Sequence, residues 1–172
     1  MKKLTSLFVL FLSLVSYAQT SAPTQDLVFV ASFDQYSEWY NKAFKADAMR
    51  RSNYCNEPKT LTAKIDNKGA LIRLKDFDMA QMPAFAGDAE MGKLMKEYNI
   101  SHPEVYALNP VGPEVMDQKK VDLFFIISST DYDLWLKNAF SPDSKRRAQF
   151  CDESRTKVAK IDDHHAMVIL YD

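Results

Sequence analysis

Residues 50–55 read RRSNYC, and residues 146–151 read RRAQFC. The two hexapeptides lie 96 residues apart, and each ends in one of the chain's only two cysteines, Cys55 and Cys151. The same offset aligns their surroundings without a gap. Asp26, Leu27, Phe29, Ser32, Tyr36, Trp39, Ala43, Phe44 and Asp47 recur as Asp122, Leu123, Phe125, Ser128, Tyr132, Trp135, Ala139, Phe140 and Asp143. Between residues 26–76 and 122–172, 21 of 51 positions are identical, far above the handful that chance would give. The sequence repeats internally, and the repeat governs any reading of the fold.

Each copy carries one pattern. DLVFVASF (26–33) and VDLFFIISS (121–129) are short apolar runs rich in β-branched and aromatic residues, which predicts buried strands. Tyr36, Trp39, Ala43 and Phe44 then fall at the spacing of an amphipathic helix. Ser37 or Asp34 is the expected cap of the first helix, Thr130 or Asp131 of the second. TLTAKID and TKVAKID follow as strands, DNKG and DDHH as turns, ALIRL and AMVILY as returning strands. The repeated unit is β-α-β-β.

After the first copy the chain continues with GDAEMGKLMKEYNI (87–100), whose Met91, Leu94, Met95 and Tyr98 share one helical face behind a start signal at Asp88. EVYALNPV then reads as a fourth strand and GPEVMDQKK as a linker. The expected organisation is a first unit over 26–111, a linker over 112–120 and a second unit over 121–172. The second unit reaches Asp172 without a counterpart of the first unit's second helix and fourth strand. That is expected to leave a helix-facing surface for a partner, or for the linker near Pro110–Met116. Leu27–Ala31 and Leu123–Ile127 are apolar at every position, so both faces of each strand are expected to be covered.

The order β-α-β-β-α-β is the ferredoxin-like plan. The segment KIDNKGALIRLKDFDMAQMPAFAGDAEMGKLMKEYNISHPEVYAL (64–108) resembles the dimeric α+β barrel superfamily, which includes antibiotic biosynthesis monooxygenase-like domains. The resemblance covers Asp26–Val111 and, in part, Asp122–Asp172, through the order of elements rather than any catalytic motif. It implies an α+β fold of two ferredoxin-like units, complete βαββαβ and truncated βαββ, packed sheet to sheet as an intramolecular dimer. Fusion would hold the two halves at high effective concentration.

The first residues predict export. Lys2 and Lys3 precede LFVLFLSLV (7–15), an apolar run too short to span a bilayer comfortably, and Ser16-Tyr17-Ala18 supplies small residues for cleavage near Ala18. Removing residues 1–18 takes away both lysines, so the formal net charge falls from −1 to −3. A mildly acidic periplasmic or secreted protein is expected, not embedded in a membrane and without the basic excess that nucleic acid requires.

Two cysteines in an exported chain suggest a bridge, and Cys55–Cys151 would close a long loop worth about 4–5 kcal/mol in the chain-entropy model. Equivalent residues of two copies pair only beside a twofold axis, with Cα atoms within about 7 Å. In the barrel that the resemblance implies, the loops after the first helices lie at rims that point apart. Free thiols are therefore the first expectation and the bridge the second.

Arg50, Arg51, Arg146 and Arg147 close helices, where cations complement the dipole. With Lys64 and Lys160 they are also candidates for a pair of anion sites, although Glu57 and Glu153 offer salt-bridge partners. His164 and His165, flanked by Asp162 and Asp163, are the metal candidates; a solvated turn is the simpler reading, and no metal is expected. The sequence has no Gly-rich phosphate loop, nucleophile elbow, H-E-x-x-H or zinc spacing, so no cofactor is expected.

The leading expectation is a non-enzymatic protein that binds a small apolar molecule or a protein partner between or beside its sheets. The alternatives are a cofactor-independent oxygenase or isomerase acting on a hydrophobic substrate, and a homo-oligomeric envelope component associating through the second unit.

Overall fold

The computed structural model describes residues 23–110 and 121–172. The expected cleavage region and the linker over 112–120 lie outside the described residues. The chain forms a mixed α+β structure around one antiparallel seven-stranded sheet in the order β4-β1-β3-β2-β6-β7-β5. No helix among the described residues is long and apolar enough to cross a membrane.

Strand β1 (Thr24–Ser32) leads into helix α1 (Tyr36–Glu38), a π-helical stretch over Trp39–Phe44 and helix α2 (Ala48–Arg51). Strands β2 (Leu61–Lys64) and β3 (Gly69–Asp78) follow, then helices α3 (Met82–Ala86) and α4 (Ala89–Glu97) and strand β4 (Ser101–Leu108). The second half contains β5 (Leu123–Ser128), α5 (Tyr132–Trp135), a π-helical stretch over Leu136–Phe140, α6 (Ser144–Arg147), β6 (Lys157–Lys160) and β7 (His165–Leu170).

Bonds recur at the sequence offset. Lys45 N donates to Tyr40 O at 3.0 Å and Ser141 N to Leu136 O at 2.9 Å, the π-type step of each helix. Phe33 N donates to Lys68 O at 2.9 Å and Ser129 N to His164 O at 2.7 Å, tying each helix start to its hairpin turn. Caps differ from expectation in the first half. Gln35 precedes α1 with no side-chain cap, whereas Asp131 accepts from Leu134 N at the start of α5.

The halves meet as one sheet rather than as two separate sheets. β2 and β6 pair through a single register pair, Lys64 opposite Lys160. These are equivalent residues, so a local twofold axis passes between them. Edge pairing satisfies backbone groups that two stacked sheets would leave exposed at β2 and β6. The sheet then curls. Tyr106 on β4 packs against Tyr171, just after β7, at 6.1 Å, and Tyr171 Oη donates to Glu104 Oε2 at 3.2 Å. A flat sheet would hold β4 and β7 about 24 Å apart, at about 4.8 Å for each strand step.

Inside the curl, Val28 and Leu71 of the first half pack with Met167, Ile169 and Tyr171 of the second. Ala63 and Ala159 lie beside the joint at 0% exposure, where only a small side chain lets the two halves approach. The opposite face of the sheet carries the helices. In the first half Trp39 and Ala43 are buried there, and Trp39 stacks on Phe33 at 4.5 Å. In the second half Trp135 is only half-buried and Ala139 is exposed. β5 corrects the expectation of a strand covered on both faces: Leu123 and Ile126 are each 36% exposed. No described strand pairs with its outer edge, the place that β4 takes beside β1 in the first half.

Asp26 locks β1 to β3 where their register shifts. Its carboxylate accepts from Arg73 (Nε at 3.0 Å, and Nη2), from Lys75 Nζ at 3.1 Å and from Asp76 N at 3.0 Å, where Asp76 adopts φ 51°. Burial pushes the Asp26 carboxyl up, but the Asp76 N–H, Arg73 and Lys75 together hold it below its ordinary value. A carboxylate depressed by folding stabilises the protein above the unfolded value of about 3.9, and that stability fades as pH falls through the lower folded value. Asp26→Asn should therefore cost about 2 kcal/mol at pH 7 and progressively less below pH of about 4. Urea unfolding of both proteins at pH 7 and pH 3 checks this; an undiminished gap at pH 3 would contradict the assignment.

Candidate functional site: an apolar cleft beneath helix α4

Alternation along the strands sorts their side chains. Val28 and Leu71 enter the core inside the curl, while Phe29, Ala31, Ile72 and Leu74 face the helices. Trp39, Ala43 and Phe44 project from the π-helical stretch towards the same strands, and α4 contributes Met91, Leu94 and Met95. Phe85 and Met82 of α3 close one end. Between them lies a cleft of about 290 Å³, partly open to solvent.

Helix α4 is well formed and packs on the sheet only through partly buried side chains. Asp88 caps it, accepting from Glu90 N at 2.8 Å and Met91 N at 3.1 Å. No residue of α4 is buried, although Met91, Leu94 and Met95 point their apolar stripe at the sheet. The stripe is thus only partly withdrawn from water. Its unbranched methionines adapt readily to the shape of whatever they contact.

Among the described residues, Asp47 and Arg51 are the only charged ones lining the cleft. Arg51 is 4% exposed, and each of its three nitrogens has a partner. Its Nε and Nη2 grip Glu57 at 3.1 and 2.6 Å, its Nη1 donates to Phe44 O at 2.5 Å, and its guanidinium stacks 3.7 Å from the Phe44 ring centre. Asp47 accepts a fork from Arg50 at 2.6 and 2.7 Å. Arg50 Nη1 lies 3.0 Å from Asp88 Oδ2, close enough for an ion pair though misaligned for a hydrogen bond. The Asp47 hydrogen bond leads in raising the Arg50 guanidinium's affinity for its proton.

The second half repeats these contacts nearer the surface. Arg147 forks onto Glu153 and stacks 3.6 Å from the Phe140 ring centre, while Arg146 binds Asp143 at 2.7 Å. The four arginines proposed as anion ligands therefore each hold a carboxylate. Lys64 and Lys160 share the sheet joint. Lys64 Nζ donates to Asn67 Oδ1 at 2.8 Å and lies 5.5 Å from the Tyr36 ring centre. Lys160 contacts Asp163 at 2.8 Å and Asp133 at 3.3 Å, and the Asp163 bond leads in raising its proton affinity.

His164 Nδ1 meets Thr130 O at 3.0 Å, and His165 Nδ1 meets Asp162 Oδ1 at 2.8 Å. Among the described residues no three His, Cys, Asp or Glu side chains come together as a metal site. Both cysteines are free, Cys55 buried and Cys151 half-buried. Each sulfur lies against the carbonyl of the arginine four residues earlier, at 3.5 Å for Cys55 and 3.4 Å for Cys151. Burial pushes the Cys55 thiol up, which lowers its thiolate fraction. A thiol-reactive dye should count two thiols in the denatured, unreduced protein and label Cys151 before Cys55 in the folded one. One fast-reacting Cys55 or a count of zero would contradict this arrangement.

The sequence did not point to the cleft. Met91, Leu94 and Met95 were legible as an apolar stripe, but a stripe facing a void has the same spacing as one facing a core. Helix α3, with Pro83 in its first turn, falls in a stretch for which the sequence pattern predicts no element. No protein-family model, curated protein or solved structure matches this chain.

Proposed function

We propose that this protein binds a small apolar molecule in the cleft between α4 and the sheet. The observation that carries this reading is the apolar face of α4, turned towards the sheet across about 290 Å³ with none of its residues buried. A cleft near the small end of ligand-site volumes, lined by aromatic and methionine side chains, suits such an occupant. An oxygenase or isomerase would need polar groups converging on the cavity. Here Asp47 and Arg51 are committed to other partners, which favours binding over catalysis.

We read the chain as a tandem of two ferredoxin-like units akin to the dimeric α+β barrel proteins. The β4-β1-β3-β2 order of the first half and the bonds recurring at the 96-residue offset support this. Export follows from the N-terminal residues, and sequencing the mature protein's N-terminus tests it, with Gln19 as the expected first residue.

Trp39 lines the cleft and reports on its occupancy. In Trp135→Phe, whose single tryptophan is Trp39, titration with 1-octanol should shift the emission saturably to shorter wavelength. An unsaturable drift would oppose the cleft as the site.

A second reading, self-association through the second half, is favoured by the exposure of Leu123 and Ile126 on β5 and of Phe150 at 79%. Sedimentation of the wild type and Phe150→Glu tests it. A dimer dispersed by the substitution supports this reading, and a wild-type monomer at high concentration opposes it.

A further inference from the structure

We infer that the cleft selects uncharged ligands and excludes carboxylates, although an arginine lies in its wall. The inference rests on the cleft reading above and adds the chemical class of the occupant.

Arg51 resembles a receptor for a fatty-acid headgroup only until its donors are followed. Nε and Nη2 are taken by Glu57, Nη1 by the Phe44 carbonyl, and Nη1 also lies 3.5 Å from Asp47 Oδ2. The face of its guanidinium rests on the Phe44 ring. An incoming carboxylate would have to displace Glu57 to gain a fork, exchanging one anion for another at no profit in charge.

The surrounding charges point the same way. Arg50 and Arg51 are met by Asp47, Glu57 and Asp88, so this network carries one more negative charge than positive. The other natural anion receptor would be the N-terminus of α4, whose free N–H groups favour negative charge. The Asp88 carboxylate already caps it through Glu90 N and Met91 N. The Met91 N–H leads in holding the Asp88 carboxyl below its ordinary value. An anion entering the cleft would lose its water and find the guanidinium in the wall already paired with carboxylates, an unfavourable exchange.

A cation fares little better. The Asp47 oxygens are occupied by the Arg50 fork and face Arg51. An ammonium would sit beside two guanidiniums whose carboxylates are already bonded. What remains is apolar wall. At about 30 Å³ for each non-hydrogen atom, borrowed from water's share of liquid volume, the cleft holds roughly ten such atoms. The class is therefore a neutral, predominantly hydrocarbon molecule of that size, with at most a hydroxyl or carbonyl at its open end.

Calorimetric titration of the whole protein at pH 7 with 1-octanol, octanoate and octylammonium tests the inference, because the three share a chain and differ in charge. Octanol should bind at one site, with octanoate and octylammonium each at least tenfold weaker. Either charged probe binding as tightly as octanol would overturn the charge selection while leaving the cleft as a binding site. Failure of octanol to bind would overturn the cleft reading and the selection with it. In Leu94→Trp, whose added ring occupies the cleft, octanol binding should fall at least tenfold; undiminished binding would place octanol elsewhere and overturn both.

Discussion

Arg51→Ala should lower the free energy of unfolding by about 3 kcal/mol, the lower end of the cost of breaking a buried ion pair by removing one partner. Glu57 would keep its charge at 18% side-chain exposure with its fork gone, and the Phe44 carbonyl would lose its donor. The same change at Arg147 should cost about half as much, because a more hydrated pair gains less from its partner. Arg147 and Glu153 are 12% and 25% exposed, against 5% and 18% for Arg51 and Glu57. Arg51→Lys should recover little, since an ammonium cannot reproduce the fork or the stack on Phe44. Urea midpoints of the three variants check this. Equal losses at Arg51 and Arg147 would show that burial does not set their strength.

Leu94→Trp should cut the affinity for a neutral apolar probe at least tenfold while shifting the urea midpoint little. The residue is partly buried and lines the cleft from a helix that has no fully buried residue, so the larger ring has the cleft to extend into. Overpacking a closed core typically costs about 1–3 kcal/mol, and less of that applies where the side chain borders a cleft. A large loss of stability with unchanged probe binding would mean that α4 is a core helix after all.

What the residues disclosed follows from the forces that act locally. The strands β1 and β5, the Trp39 and Trp135 helices and the Asp88 cap were legible because apolar runs, helical spacing and start signals are short-range. The 96-residue offset extended each reading to its counterpart. The joint was not legible. Lys64 and Lys160 look like solvated charges, and like charges opposite one another disfavour pairing. Their side chains are held within their own halves, by Asn67 and by Asp133 and Asp163, which lets the backbones meet. The exposure of β5 was legible only as the helix-facing surface that the second unit was expected to leave, since an apolar strand by itself reads alike with or without a neighbour. The arginines stood out in the sequence as charge, whereas the carboxylates that occupy them come together only in the fold. The cleft is the space that the partly buried stripe of α4 leaves unfilled against the sheet, and no residue type encodes that space.

The most direct test of the central claim is to locate a bound ligand. In crystals grown with 8-bromo-1-octanol, the bromine's anomalous signal should lie among Phe85, Met91 and Leu94, with the hydroxyl towards the open end of the cleft. Bromine seated instead against Leu123 and Phe150 of the second half, with none in the cleft, would contradict the account.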